Sequence, residues 1–166
     1  READHEFERF CKANADWLDD YALFICSKRN FNGAGWNEWP EELRDREESA
    51  VAQWKDKLGR EILAAKYFQY LFAGQWSALK QYCHDKNIQI MGDIPIYVSF
   101  DSADVWAHPE IFKLDEQKRP LFVAGVPPDY FSSTGQLWGN PVYNWDILKE
   151  RRYDWWIKRI ERNLKL

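Results

Sequence analysis

The stretch that most restricts what this chain can fold into begins after Asn87. Residues 88–98 read IQIMGDIPIYV, with Ile88, Ile90, Ile94, Ile96 and Val98 as β-formers. Asn87 suits a left-handed cap on a preceding helix. The composition predicts one buried strand, and Pro95 ends its regular pairing near Gly92 or Asp93 by removing a ladder donor and holding Ile94 extended. A carboxylate, Asp93, thus stands where the strand runs out. The next long regular element is expected only near Asp146. Roughly fifty residues of irregular chain replace the usual two to six, and a connection of that length is either functional or disordered. Its density of Tyr, Phe and Trp argues against disorder.

The periodicity on either side is helical. Phe7, Phe10, Trp17, Leu18, Tyr21, Phe24 and Ile25 predict one helix over about Asp4–Lys28. Asp16, Asp19 and Asp20 cluster on it without a loop to shape a cation site, so they read as solvated or capping groups. Residues 30–40, NFNGAGWNEWP, read as a loop, with Trp36 and Trp39 as lids over the core in preference to a binding surface. A short solvated helix is expected over Glu41–Asp56. A long one is expected over Leu58–Lys86, where Phe68, Leu71, Phe72, Trp76, Leu79 and Cys83 recur at helical spacing.

Inside the long connection, Ser102–Trp106 and Pro109–Phe112 each suit one helical turn. DEQKRP reads as a hairpin turn between residues 111–114 and 121–123. GVPPDYFSSTGQLWGNP is expected to be irregular because of its Pro and Gly. A last helix is expected from an Asp146 cap, presenting Tyr153, Trp156, Ile157, Ile160 and Leu164.

At 166 residues the chain has room for one domain with a core, and its net charge of −4 comes from interspersed charges. No basic stripe is present, which argues against a nucleic-acid partner. The longest apolar run, Tyr21–Cys26, is too short for a membrane span. Cys11, Cys26 and Cys83 lack CxxC spacing and read as buried or half-buried free thiols of a reducing compartment, hence the cytoplasm. No phosphate loop, GxSxG elbow or HExxH motif occurs, and no cofactor or metal is expected. Among the isolated histidines only His108, before Pro109, is kept as a possible wall of a site. One strand cannot make a sheet, so its partners are expected outside this chain or in a second copy. With Arg1 in place of Met at the start, the chain reads as a piece of a longer protein that self-associates when isolated.

In an α/β barrel the chemistry sits on loops that leave the C-terminal ends of strands. Tyr, Phe and Trp mixed with Gln136, Asn140 and Asp129 suit a ligand with apolar faces and hydroxyl edges, as a sugar ring has. The alternative, that these aromatics pack the loop onto its own barrel, is equally compatible with composition.

MGDIPIYVSFDSADVWAHPEIF followed by VAGVPPDYFSSTGQLWGNPVYNWD resembles the amylomaltases, or 4-α-glucanotransferases, and FCKANADWLDDYALF and FQYLFAGQWSALKQY resemble the helices that precede this region in that family. The resemblance implies an α/β fold: a fragment of a (β/α)8 barrel, mainly helical, with one secure strand and a long loop. Residues 1–166 would form a single partial domain, with 88–145 as the strand and substrate-site connection. It implies transfer of α-1,4-glucan chains between maltooligosaccharides by a retaining double displacement. Asp93 matches an acid near the cleaved sugar, Tyr130 and Phe131 match aromatics of a loop over the cleft, and Gln136 and Trp138 match residues at that loop's base. The family's nucleophile, in an Arg-Ile-Asp-His strand, and its acid/base Glu would both lie beyond Leu166. Glycosidic chemistry needs two carboxylates flanking one bond. This chain is therefore expected to hold substrate-site residues, no catalytic acid and no activity alone. The alternative reading is a non-catalytic carbohydrate-binding module; a purely structural helical domain fits the loop's composition poorly.

Overall fold

Schellman caps divide this chain more often than glycine or proline announces. In the computed structural model, which describes residues 2–165, the helices are α1 (Glu2–Ala13), α2 (Ala15–Asn30), α3 (Glu41–Arg44), α4 (Glu48–Lys57), α5 (Gly59–Asp85), α6 (Ala103–Ala107), α7 (Trp145–Glu150) and α8 (Asp154–Lys165). Short 3₁₀ turns lie at Trp36–Glu38 and Pro109–Ile111, and the strands are β1 (Val123–Val126) and β2 (Gln136–Pro141). The chain divides into two units, the first holding the residues up to Ala34 and Pro40–Asp93, the second Gly35–Trp39 and Ile94–Lys165. Arg1 and Leu166 lie outside the described residues.

In the first unit the expected single N-terminal helix is two. Asn14 separates them, its amide donating to the Phe10 carbonyl (2.9 Å) while its side-chain oxygen accepts from Trp17 Nε1 (3.1 Å). Short amide side chains of this kind compete with the helical ladder. Ala22, Cys26, Leu58 and Ala65 are buried together, with Ile25, Trp54 and Ile62 packed around them. Cys26 is buried, Cys11 and Cys83 are half-buried, and all three are free thiols, as expected. Two of the three acids clustered on α2 are ion-paired, where solvated or capping groups were expected: Lys66 pairs with Asp19 (2.5 Å) and Arg46 with Asp20 (2.6 Å).

Helix α5 follows its predicted range closely and ends as predicted on Asn87, at φ +56°, with Asn87 N donating to His84 O (2.9 Å) and Ile88 N to Cys83 O (2.8 Å). Its apolar stripe is real, yet Phe68, Phe72 and Leu79 are exposed. No helix is long and apolar enough to cross a membrane among the described residues.

The predicted strand over residues 88–98 does not form; the backbone there is irregular, and Ile88, Ile90 and Ile96 are exposed. A strand exists only through its ladder, and among the described residues none pairs with this segment. In the second unit side chains take over the ladder's task. The carbonyls of Pro95, Ile96, Val98 and Phe100 accept from Arg159 Nη2 (3.0 Å), Tyr143 Oη (2.8 Å), Asn140 Nδ2 (2.8 Å) and Trp36 Nε1 (2.8 Å).

The strands that do form lie where irregular chain was expected. β1 and β2 pair antiparallel, Gly125 opposite Leu137 and Val126 opposite Gln136, with an irregularity between Val123 and Gly125. The glycines there serve the pairing. A Cβ at Gly125 would come within 2.4 Å of the Gln136 carbonyl oxygen, and Gly135 takes φ +73° to close the loop. Close backbone approach and positive φ are what glycine permits.

Trp36 and Trp39 are buried, as expected of core lids, against Phe100 (centroids 5.4 Å) and Trp106 (5.5 Å). The DEQKRP turn closes with Asp115 N donating to Arg119 O (2.8 Å) and Leu114 bridging Pro120. The helical turn after Ser102 is α6, its N-cap hydroxyl accepting from Val105 N (3.3 Å). The C-terminal helix is again two, because Arg152 and Tyr153 both adopt positive φ between α7 and α8.

Candidate functional site

The β1–β2 hairpin presents its aromatics on a tip that its own side chains stiffen. After the Pro127–Pro128 pair, Asp129 Oδ1 accepts from the backbone N–H groups of Phe131 (2.9 Å) and Ser132 (2.8 Å). Asp129 N donates to Ser132 O (2.9 Å), and Ser132 Oγ donates to Gly135 O (2.7 Å). Within this turn Tyr130 and Phe131 meet edge to face at 5.6 Å, and they are 97% and 89% exposed. Two large apolar rings on an ordered turn are thus left open by the described residues.

Lower on the hairpin, Gln136 and Trp138 are joined, with Trp138 Nε1 donating to Gln136 Oε1 at 2.9 Å. The Trp138 indole lies edge-on to Tyr97 (6.3 Å), and Tyr97 stacks on Tyr143 (6.0 Å, 14°). Tyr143 is fully buried among Phe112, Trp145, Trp155 and Trp156. Burial pushes its phenol up to about 12, against a smaller downward pull from Arg159. The structure thus brings together two pairs of the predicted residues, Tyr130 with Phe131 and Gln136 with Trp138. The fifth, Asp93, is the last residue of the first unit; it is exposed and lies on irregular backbone.

His108 belongs to an anchoring cluster. Its Nδ1 lies 3.8 Å from Glu110, which also pairs with Arg151 just after α7. Burial alone would raise the Glu110 carboxyl, but its interactions with His108, its own backbone N–H and Arg151 outweigh that and bring it down to about 2. Among the described residues no group of three or more His, Cys, Asp or Glu is placed to hold a metal ion.

Sequence reasoning missed Tyr97 and Tyr143, which floor the hairpin, and the carbonyl-binding roles of Asn140, Arg159 and Trp36. The one available signal was indirect. An extended segment that forms no ladder leaves carbonyls open to other donors, and Asn, Tyr, Trp and Arg are side chains that supply them. Chemically, the hairpin offers exposed ring faces beside an amide, a surface for a ligand with C–H faces and hydroxyl edges.

Comparison with known proteins gives this geometry its context. A family model described as 4-alpha-glucanotransferase matches residues 1–166. The 4-alpha-glucanotransferase of Synechocystis sp. is 52% identical over 163 residues, covering 98% of this chain and 32% of the relative. That of Thermus thermophilus is 51% identical over 160 residues, covering 96% of this chain and 32% of the relative. Among solved structures, an amylomaltase from Streptococcus agalactiae in complex with acarbose superposes with a TM-score of 0.93 at 47% identity, covering 99% of this chain and 33% of that one. The chain therefore spans about a third of the length of the relatives it matches. With every residue inside the family model, this chain belongs to the 4-alpha-glucanotransferase family.

Proposed function

We propose that this chain is the substrate-site segment of an enzyme that transfers α-1,4-glucan chains between maltooligosaccharides by a retaining double displacement on a (β/α)8 barrel. Residues 1–166 are then one part of the catalytic barrel, with 88–145 as its substrate-site connection. The observation that carries the reading is the pair of exposed rings, Tyr130 and Phe131, on a turn ordered by Asp129, in a chain matched throughout by the family model.

In this reading Tyr130 and Phe131 cover the glucan, Gln136 and Trp138 contact it at the hairpin's base, and Asp93 lies near the cleaved sugar. Transfer in place of hydrolysis requires that water be kept from the glycosyl-enzyme while a sugar hydroxyl attacks, and an apolar cover does this. The two carboxylates that break and remake the glycosidic bond are supplied outside these residues. Free thiols fit a cytoplasmic enzyme. The exposed stripe of α5 and the absence of a ladder at 88–98 favour self-association of the chain when isolated.

The test is to incubate the full-length protein with maltotriose and separate the products. Glucose together with oligomers longer than the substrate is the expected result. Glucose and maltose alone would mean hydrolysis and overturn the reading.

A further inference from the structure

Side chains from four places in the sequence hold residues 95–100, and one of them belongs to the hairpin itself. Arg159, Tyr143 and Trp36 bind the Pro95, Ile96 and Phe100 carbonyls from outside the strands. Asn140 binds the Val98 carbonyl at 2.8 Å from β2, two residues beyond Trp138. Trp138 reaches the same short segment by another route, its indole edge-on to Tyr97 at 6.3 Å. β2 therefore meets residues 97–98 at two points, one polar and one aromatic. Between them lies Gly139 at φ +78°, with nothing within 4 Å of the place a Cβ would occupy. The link from Trp138 to Asn140 passes through a residue that supplies no packing and little conformational restriction of its own.

We infer that Asn140 is a positioning residue for Trp138: its amide bond to the Val98 carbonyl holds β2 against residues 97–98 and so sets the orientation of the indole and of the Gln136 amide hydrogen-bonded to it. The inference rests on the proposed reading of Trp138 as a glucan contact. Without the bond, Gly139 lets the strand swing, and both side chains that would meet the sugar lose their common orientation. The Val98 carbonyl also loses its donor, so the site is loosened from both sides. Asn140 does not itself touch the sugar in this account, and its effect passes through Trp138.

A double-mutant cycle in the full-length protein separates this from a merely structural role. N140A and N140D each remove the bond, N140D at nearly constant size. Each is expected to raise the KM for maltotriose by about five- to tenfold, the worth of one lost hydrogen bond, with kcat changed less than about twofold. In a W138A background the same change should have almost no further effect. Multiplicative effects of the two substitutions, or an unchanged KM, would overturn the inference. A second readout is independent of activity: with 5-fluorotryptophan incorporated, the ¹⁹F resonance assigned to Trp138 by W138F should shift or broaden in N140D while the others stay in place. An unmoved resonance overturns the positioning role. Should either variant fail to fold, N140S, whose hydroxyl is set back from the position of Nδ2 and so cannot keep the bond, carries the same cycle. If the wild-type protein transfers no glucan but the ¹⁹F signal responds, the functional reading fails and the positioning stands.

Discussion

Replacing Tyr143 by Phe removes one oxygen from the centre of the second unit and leaves the ring where it is. Tyr143 is 0% exposed, and its hydroxyl donates to the Ile96 carbonyl at 2.8 Å. The net worth of such a bond is about 1 kcal/mol, and because Ile96 is exposed, water can reach its freed carbonyl and no further desolvation cost is added. The expected loss is therefore about 1 kcal/mol, or about 2–4 °C in the melting midpoint of a chain this size. Y143A, which also removes the ring from its contacts with Phe112, Tyr97 and the three tryptophans, should cost about 3–5 kcal/mol. Near-ultraviolet circular dichroism follows this aromatic cluster directly.

A pH series on the same two proteins supplies a sign test. The folded phenol is raised to about 12 from an ordinary value of 10, so its contribution is complete below pH 10 and is lost as pH rises through 12. The gap between wild type and Y143F should therefore narrow over that window. Equal midpoints for wild type and Y143F at pH 7 would refute the claim that the hydroxyl holds residues 95–100 in place.

The Glu110 carboxyl, lowered to about 2, contributes stability that is present above pH 4.5 and lost as pH falls toward 2. Because Glu110 is 47% exposed, the contribution is discounted to about 1 kcal/mol; E110Q should lower the melting midpoint at pH 7 and flatten its fall below pH 4.5. The isolated chain should bind maltoheptaose only in the millimolar range, about 4 kcal/mol, and Y130A together with F131A should abolish that binding in a titration without moving the melt. Light scattering across a dilution series should report self-association of the isolated chain, and a concentration-independent monomer would be the contrary result.

What could be read in advance follows the cap residues closely. α2, α3, α5 and α7 all end in the same way, with a left-handed residue whose N–H and that of its successor turn back onto the last helical carbonyls. At α2 and α5 that residue is Asn32 and Asn87, which tolerate positive φ, and both helix ends were legible. At α3 and α7 it is Arg46 and Arg152, which give no local sign, so two helices were read as one in each region. The hairpin failed for the opposite reason. In sequence Gly125 and Gly135 read as breakers, whereas the pairing needs them, one for close approach and one for positive φ. The site residues were reached through resemblance and aromatic density. Their supports were not, because which distant carbonyl an Asn or Tyr will meet is a property of the fold.

Residues 88–98 show why composition and ladder can part company. Ile, Val and Tyr mark a backbone that favours extension, and extension leaves carbonyls pointing outward at regular intervals. A neighbouring strand answers them at the same regular intervals and fixes the whole run as sheet. Here, from Pro95 onward, the answers come from Arg159, Tyr143, Asn140 and Trp36, separated from their partners by between 42 and 64 residues. Side-chain donors need not keep a ladder's spacing. The chain can therefore turn into α6 soon after Phe100, and Ser102 N donates to the same Phe100 carbonyl at 3.0 Å as it does so. Each anchor also ties a different part of the unit to one short segment: the Trp36 turn, the hairpin, the residue leading into α7, and α8. The segment therefore serves as the common support of the second unit, and Asn140 is the anchor through which that support reaches the exposed aromatics.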